Sequence, residues 1–237
     1  MTRSLWAMPA TVAHLRVAAL ALLAAMALAA APAGAQAPPP DADGVAPEAP
    51  LPNAPRSIAV GRPWHGRLEF GVQLPEAGAD FLTWDPILRR SPNRGSRRWA
   101  TDALVVVLDS VTREYRAAHP GAPPVLIADL SRPQGGPFGR RYGGLGHASH
   151  QNGLDADVMY PRRDGALLAP RRPADVDRAL AQDLVDRVRA AGAVRLFVGP
   201  HLHLRGPRGV VVRLAHHDDH VHVRIANPGR PDAPNAP

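Results

Sequence analysis

Two short runs of the chain concentrate imidazole and carboxylate side chains. Residues 147–160 read HASHQNGLDADVMY, and residues 216–225 read HHDDHVHVRI. Eight of the eleven histidines lie between His147 and His222. A lone histidine is more often structural than functional, but imidazoles and carboxylates gathered in this way are the groups that bind metals and transfer protons. The two runs therefore indicate a metal site or an acid–base site.

The spacing within each run predicts a β-strand. In a strand successive side chains point to opposite faces, so residues 220–225 place His220 and His222 on one face and three apolar side chains on the other. Residues 154–160 show the same alternation, with Asp155 and Asp157 on one face. His150 stands seven residues before Asp157, in a loop that can fold back over the strand. Two such strands can bring His150, Asp157 and one later histidine together.

Imidazole, carboxylate and imidazole, with a fourth position left to water, form the usual ligand set of a catalytic zinc. Histidines at i and i+2 of a strand lie about 6.6–7 Å apart, so one can bind a metal while the other acts as a base. A second His-x-His pair, His201 and His203, follows a Gly-Pro break and lies in a predicted loop. The clean alternation around His220 and His222 favours that pair.

The runs GHASHQNGLDADV and HDDHVHV resemble the penicillin-insensitive murein endopeptidases. These belong to a wider group of zinc peptidases that includes D-Ala-D-Ala peptidases, lysostaphin-like enzymes and hedgehog signalling domains. The resemblance, which in looser form spans residues 60–226, implies that His150, Asp157 and His222 bind Zn²⁺ and that His220 is the catalytic base.

Two further histidines stand at positions that the narrower family shares. His147 precedes the first ligand by three residues, and His217 precedes the base by three. We count His147 as a further candidate metal residue and His217 as a second catalytic candidate, and either could support a developing oxyanion. The chain departs from some members in having no cysteine for disulfides. It also has no histidine between Tyr160 and Pro200 that could supply an accessory ligand.

The remaining pattern predicts an α+β domain with a small, mostly antiparallel sheet flanked by helices, as in the hedgehog and D-Ala-D-Ala peptidase group. Apolar residues at helical spacing predict two helices, at residues 101–118 and 173–191. In the second, Pro173 suits the first turn and Gly192 the C-terminal cap. Extended segments are predicted at residues 125–130, 154–160, 194–198, 210–214 and 220–225.

The chain divides by composition into four segments. Arg3 and Arg16 precede an apolar run, and Ala33-Gly34-Ala35 offers a cleavage site, so residues 1–35 are predicted to be a secretory signal. A Pro/Ala-rich linker (36–55), a zinc metallopeptidase domain (56–227) and a disordered tail (228–237) follow. We expect a periplasmic or secreted protein with no stable membrane insertion after signal cleavage.

Charge and composition indicate which classes of binding partner to expect. All 28 basic residues are arginine, and removing Arg3 and Arg16 leaves 26 against 21 acids. This excess suggests attraction to a polyanionic envelope and fits peptidoglycan as a partner. Nucleic acid is not expected, because the arginines are scattered and aromatic residues form only 5% of the chain. The glycine-rich residues 132–146 lack the order of a phosphate-binding loop, and we expect their backbone to pass close to a substrate or metal.

These observations favour an exported zinc endopeptidase that cuts the peptide cross-links of peptidoglycan. By resemblance, the bond is of the D-Ala to meso-diaminopimelate type. Two alternatives keep the same site: a D-Ala-D-Ala carboxypeptidase, and a non-catalytic zinc-bearing domain that binds the cell wall. A base retained beside the ligands argues against the second, because binding alone does not need one. The oligomeric state stays open.

Overall fold

The computed structural model describes residues 56–139 and 146–229. Four expected features lie wholly or partly outside these ranges: the signal (1–35), the linker (36–55), part of the glycine-rich loop (140–145) and most of the tail (230–237). Among the described residues, the helices are too short or too polar to cross a membrane.

The described residues form two α-helices and ten β-strands. In chain order these are β1 (Ile58–Arg62), β2 (His65–Glu69), β3 (Val72–Gln73), β4 (Phe81–Thr83), β5 (Trp99–Ala100), α1 (Asp102–Ala118), β6 (Val125–Ile127), β7 (Asp155–Met159), α2 (Arg178–Ala190), β8 (Ala193–Val198), β9 (Val211–Arg213) and β10 (His220–Ile225). Each of the five predicted extended segments overlaps one of these strands, which confirms them. Short 3₁₀ helices at Gly95–Arg97 and Pro173–Asp175 complete the described elements.

A six-stranded sheet in the order β4-β6-β7-β10-β8-β9 forms the centre of the fold. The inner pairs β6–β7, β7–β10 and β10–β8 are antiparallel, whereas the edge strands β4 and β9 pair parallel with their neighbours. The remaining strands form two antiparallel pairs, β1–β2 and β3–β5. The predicted α+β class with a mostly antiparallel sheet is confirmed.

Helix α1 follows its sequence pattern closely. The side chain of Thr101 accepts a hydrogen bond from the backbone N–H of Leu104 and so caps the first turn. The predicted stripe of Leu104, Leu108, Val111 and Tyr115 is buried. This stripe lies against the sheet and α2 in the main core, while the opposite face of the helix meets solvent.

Helix α2 begins later than predicted. Residues 173–175 form a separate 3₁₀ turn, and the α-helix starts at Arg178, because Asp177 caps it by accepting from the N–H groups of Ala179 and Leu180. The predicted start at Pro173 is therefore wrong. The C-terminal prediction holds: Gly192 follows the helix with a φ of +97°, a conformation that glycine adopts without strain.

The two faces of the sheet have different roles. Side chains at alternate positions of β7, β8 and β10 join the buried residues of both helices in one apolar core that includes Ala156, Val158, Leu196, Val221 and Val223. The residues between them point to the other face. Because the helices cover the apolar face, the polar face stays available for a site.

Patterning did not reveal strands β1 to β5. Strands β1 and β2 are mostly exposed, so they lack the regular apolar alternation that marks a half-buried strand. The two residues between them, Pro63 and Trp64, form the hairpin connection, and Trp64 reaches the cleft on the polar face of the sheet.

The glycine-rich loop packs tightly on the protein itself. Gly135 has a φ of +69°, and a Cβ atom there would lie 2.1 Å from the carbonyl oxygen of Gln151 and 2.5 Å from the backbone nitrogen of Leu68. The next residue, Gly136, donates its N–H to the same Gln151 carbonyl at 2.8 Å. A close approach of the loop to the segment around His150 thus explains the glycine at 135.

We expect Gly135→Ala to destabilise the protein by at least about 1 kcal/mol, because it combines a steric clash with a strained φ, and to lower Tm by about 2–4 °C or more. Gly139→Ala is the matched control, since a Cβ there meets nothing within 4 Å. Thermal unfolding of both variants checks the expectation, and equal melting temperatures would contradict it.

Candidate metal centre

Strands β7 and β10 bring the two histidine-rich runs side by side. They pair antiparallel, with His222 opposite Asp157 and Arg224 opposite Asp155. Paired residues lie on the same face of a sheet. Since Val221 and Val223 occupy the core, the polar side chains of both strands share the opposite face, as the alternation predicted.

Three side-chain atoms meet at one point on this face. His150 Nε2 lies 3.3 Å from Asp157 Oδ1, His222 Nδ1 lies 3.2 Å from the same oxygen, and the two nitrogens are 3.1 Å apart. Tetrahedral zinc with bonds of 2.0–2.1 Å holds its ligand atoms about 3.3 Å apart. The three atoms therefore have the spacing that one zinc ion requires.

Oxygen atoms behind the two rings set which nitrogen of each ring faces this point. His150 Nδ1 lies 3.0 Å from the carbonyl oxygen of Leu130, and His222 Nε2 lies 3.5 Å from Asp155 Oδ1. These oxygens only accept, so when the rings are neutral, as metal binding requires, the outer nitrogens carry the hydrogen. The inner nitrogens, His150 Nε2 and His222 Nδ1, then present lone pairs to each other and to Asp157.

Such a cluster of electron pairs is suited to bind a cation. Among the described residues, Asp157 Oδ1 is buried without a hydrogen-bond partner, which costs free energy unless an ion satisfies it. Two ring nitrogens and one carboxylate oxygen are typical zinc ligands, whereas calcium and magnesium prefer oxygen alone. The residues present therefore fit a zinc ion.

Burial and neighbouring charges shift the pKa values of these groups. Burial favours the neutral acid, yet the charges of His150 and His220 hold the pKa of Asp157 well below its usual value. Burial lowers the pKa of His150. Burial opposes charge on His222 as well, but Asp155 and Asp157 raise its pKa to about 9. The carboxylates thus stay ionised and attract positive charge into the site.

His147 lies beside this group. It forms, with His150 and Asp157, a set whose candidate ligand atoms all lie within 4.8 Å of one another. His147 Nδ1 is 3.7 Å from Asp157 Oδ2, farther than His222 Nδ1 is from Oδ1, while His147 Nε2 is 2.8 Å from Asp129 Oδ2. By distance, the tighter set is His150, Asp157 and His222, with His147 at its edge.

His220 and His217 flank the same point. His220 Nδ1 lies 2.7 Å from Asp219 Oδ1, and its Nε2 lies 3.6 Å from Asp157 Oδ1. His217 Nδ1 lies 2.8 Å from the carbonyl oxygen of Ala215, and the His217 and His220 ring centroids are 4.8 Å apart. In both neutral rings Nε2 is left as an acceptor.

The pKa values of these two rings move in opposite directions. Burial lowers the pKa of His217. Burial also opposes charge on His220, but Asp157 and Asp219 outweigh it and raise the pKa. Of the two rings, His220 is therefore the better proton acceptor.

All six predicted site residues line one cleft of about 930 Å³: His147, His150, Asp157, His217, His220 and His222. Its other walls include Trp64 from the β1–β2 hairpin, Met159 and Phe197. The cleft therefore offers both a polar centre and apolar surface, as ligand sites generally do.

The alternative pair lies elsewhere. His201 is 70% exposed and its Nδ1 lies 2.7 Å from Asp218 Oδ2. His203 has a φ of +58° and is also exposed. Neither residue lines the cleft within the part of the chain that the structure describes. The geometry thus favours the pair on β10.

Sequence reasoning missed three residues around the site. Asp219 stands in the run HHDDH, where a solvated turn residue is the ordinary expectation, yet it contacts His220. Asp129 and Arg97 were not singled out at all, although both are fully buried and paired with each other. The signal that could have found Asp129 is a charged residue directly following the apolar run VLIA, where a solvated aspartate is unexpected.

Comparisons with known proteins place the chain in one family. A sequence model of the family described as penicillin-insensitive murein endopeptidase matches residues 59–203, which include His147, His150 and Asp157 and end before β10. The chain is also 26% identical over 199 residues to the penicillin-insensitive murein endopeptidase of Haemophilus influenzae, an alignment that covers 73% of this chain and 65% of that protein. It thus spans slightly less than two thirds of the relative's length. The suggested resemblance is confirmed, and the chain belongs to the penicillin-insensitive murein endopeptidase family.

Proposed function

We propose that the protein is an exported zinc metallo-endopeptidase that hydrolyses peptide cross-links of peptidoglycan. The observation that carries this proposal is the convergence of His150 Nε2, Asp157 Oδ1 and His222 Nδ1, all within 3.3 Å of one another, beside His220. Family membership supports the substrate class, because the name of the family refers to murein.

His150, Asp157 and His222 would hold the zinc ion, and His147 is a further candidate at the edge of the group. Bound zinc polarises a carbonyl group and lowers the pKa of water to about 7. Leu130 and Asp155 orient the two ligand rings through their outer nitrogens, the kind of support that fixes ring orientation in metal sites.

His220 acts as the general base. Asp219 holds Nδ1–H, so Nε2 faces the cleft as an acceptor, 3.6 Å from Asp157 Oδ1. It takes the proton of the attacking water and returns it to the leaving amine. His217 is the second catalytic residue. Ala215 fixes its Nδ1–H, so it meets the substrate as an acceptor through Nε2, or as a donor to an oxyanion once protonated.

Digestion of purified sacculi tests the proposal. Mass spectrometry should show cross-linked dimers converted to monomers, with activity lost on chelation and restored by zinc. Release of terminal D-alanine from intact dimers would instead identify a carboxypeptidase. Binding to sacculi without any cleavage would identify a wall-binding domain.

We expect one zinc per chain after dialysis, because in the part of the chain that the structure describes these three ligand atoms have the spacing of one zinc ion. Elemental analysis of the purified protein measures this ratio. Binding should weaken as the pH falls through the histidine range, since the imidazoles must lose protons to bind. A ratio well below one, or cleavage that survives removal of the metal, would contradict the zinc site.

The positive charge of the chain should serve association with the wall. The arginines are spread along the sequence, while the proposed site is built of histidine and aspartate. Raising the salt concentration should therefore weaken binding to sacculi and leave cleavage of a small soluble muropeptide nearly unchanged. Equal salt sensitivity in a pelleting assay and in a cleavage assay would overturn this expectation.

A further inference from the structure

A buried ion pair lies directly behind His147. Arg97 and Asp129 are both 0% exposed, and Arg97 Nε donates to Asp129 Oδ1 at 2.7 Å while its Nη2 bonds Oδ2. Asn93 Nδ2 also donates to Oδ1, at 3.0 Å. The carboxylate is thus fixed by a two-pronged guanidinium contact and an amide, so it has little freedom to rotate.

The same carboxylate reaches the cleft through His147. Asp129 Oδ2 lies 2.8 Å from His147 Nε2, whereas Arg97 Nη2 lies 3.3 Å from that nitrogen. Arginine can only donate and carboxylate can only accept, so the two neighbours demand opposite states of Nε2. The shorter contact decides: Nε2 carries the hydrogen and donates it to Asp129.

The segment that contains Asp129 also holds two other site residues. The backbone N–H of Asp157 donates to the Asp129 carbonyl at 2.9 Å, and the Leu130 carbonyl accepts from His150 Nδ1 at 3.0 Å. Leu130 in turn donates its N–H to the Arg97 carbonyl at 2.9 Å. Through Asp129 and Leu130, Arg97 therefore supports the orientation of the His147 and His150 side chains and the backbone position of Asp157.

Stability alone gives little reason to keep this pair. A buried salt bridge contributes about as much as well-packed apolar residues of the same volume, and often less. A buried pair that ends on a cleft histidine has a second effect, because it selects one tautomer of the ring.

From this arrangement we infer that Arg97 and Asp129 are positioning residues of the reaction, which hold His147 as the Nε2–H tautomer with Nδ1 turned towards Asp157. The inference rests on the proposed function, since it assigns a role within the same site. The position of the ring hydrogen of His147 can be observed without any substrate.

The substitution Asp129→Asn tests the inference. The asparagine oxygen will turn towards Arg97 and Asn93, which offer only donors here, so its NH₂ group will face His147 Nε2. Nε2 must then become an acceptor, and the hydrogen moves to Nδ1. Cleavage should fall on the order of 10²- to 10⁴-fold in kcat, as when the carboxylate that fixes the tautomer of an active-site histidine is replaced.

The control is Asp85→Asn. Asp85 is also 0% exposed and contacts an arginine, with Arg94 Nε 2.6 Å from its Oδ2, and its other hydrogen-bond partners are the N–H groups of Ile87 and Leu88. The substitution removes a comparable buried carboxylate that does not contact His147. Its kcat and its imidazole spectra should stay close to those of the unmodified protein.

Long-range ¹H–¹⁵N spectra of the imidazole rings supply the direct readout, with the His147 signals identified by their loss in His147→Gln. The unmodified protein should show His147 as the Nε2–H tautomer, and Asp129→Asn should show Nδ1–H. An Nδ1–H ring in the unmodified protein overturns the inference even if the variant does not fold. An unchanged His147 tautomer in Asp129→Asn also overturns it. A loss of kcat in Asp85→Asn equal to that in Asp129→Asn does the same. Because the spectra need no substrate, a protein that fails to cleave peptidoglycan would refute the function and leave the positioning test intact.

Discussion

Replacing His222 with alanine should empty the metal site, whereas replacing His220 with alanine should leave the metal bound and slow the reaction. The two residues share one face of β10 and differ in what they touch. His222 Nδ1 lies 3.1 Å from His150 Nε2, whereas His220 Nδ1 contacts Asp219 Oδ1. In His222→Ala, zinc content, activity and some stability should fall together, because metal binding is coupled to folding.

In His220→Ala the three closest ligand atoms remain, so zinc content should stay at one. The loss should appear mainly in kcat, on the order of 10²- to 10⁴-fold, the range usual for a general base. Elemental analysis and steady-state kinetics on a soluble muropeptide separate the two outcomes. If His220→Ala loses the metal and His222→Ala keeps it, the roles are reversed. If only His201→Ala or His203→Ala affects metal or rate, the choice of pair is wrong.

Asp155→Ala should be strongly destabilising. Asp155 is fully buried and accepts from Arg224 Nε at 2.7 Å and from the backbone N–H of His150 at 3.0 Å. Its removal leaves the Arg224 guanidinium buried without this partner, which costs about 3–5 kcal/mol. For a domain of this size the loss corresponds to roughly 6–20 °C in Tm.

The same change should weaken zinc binding by roughly 10–100-fold, because Asp155 supports the orientation of both His150 and His222. Asp109→Ala is the control: Asp109 pairs with Arg113 at 2.9 Å, but both side chains are 61% exposed. An exposed pair contributes little, so Tm should hardly change. Thermal unfolding and zinc titration of both variants measure the difference. A Tm for Asp155→Ala close to that of Asp109→Ala would show that Arg224 does not depend on Asp155.

The pH dependence of stability follows from the same carboxylate. Burial would raise the pKa of Asp155, but His222 and Arg224 hold it well below its usual value. A carboxyl group whose pKa is depressed by folding stabilises the protein above its unfolded pKa, near 4, and loses that contribution as the pH falls towards its folded pKa. Replacing Arg224, which helps to hold this pKa low, should therefore shift acid unfolding towards neutral pH.

Local periodicity was sufficient for much of the fold. The two-residue period of residues 220–225 identified β10 and assigned His220 and His222 to the face opposite Val221 and Val223. The helical spacing of Leu104, Leu108, Val111 and Tyr115 identified α1. These features depend only on neighbours along the chain, so the sequence contains them in full. Where the local signal was ambiguous, as at Pro173, a capping aspartate four residues later decided the start of α2.

The membership of the candidate site was also accessible from sequence, because residue type and spacing marked His150, Asp157 and the His-x-His pair. The orientation of the histidine rings was not accessible from the sequence. It depends on oxygens that lie far away along the chain: the Leu130 carbonyl for His150, Asp155 for His222 and Asp129 for His147. A charge is tolerated in the interior only when a partner from another segment meets it, as Arg97 meets Asp129 and Arg224 meets Asp155. The sequence by itself identified which groups form the candidate site, and the tertiary structure decided which of their atoms face its centre.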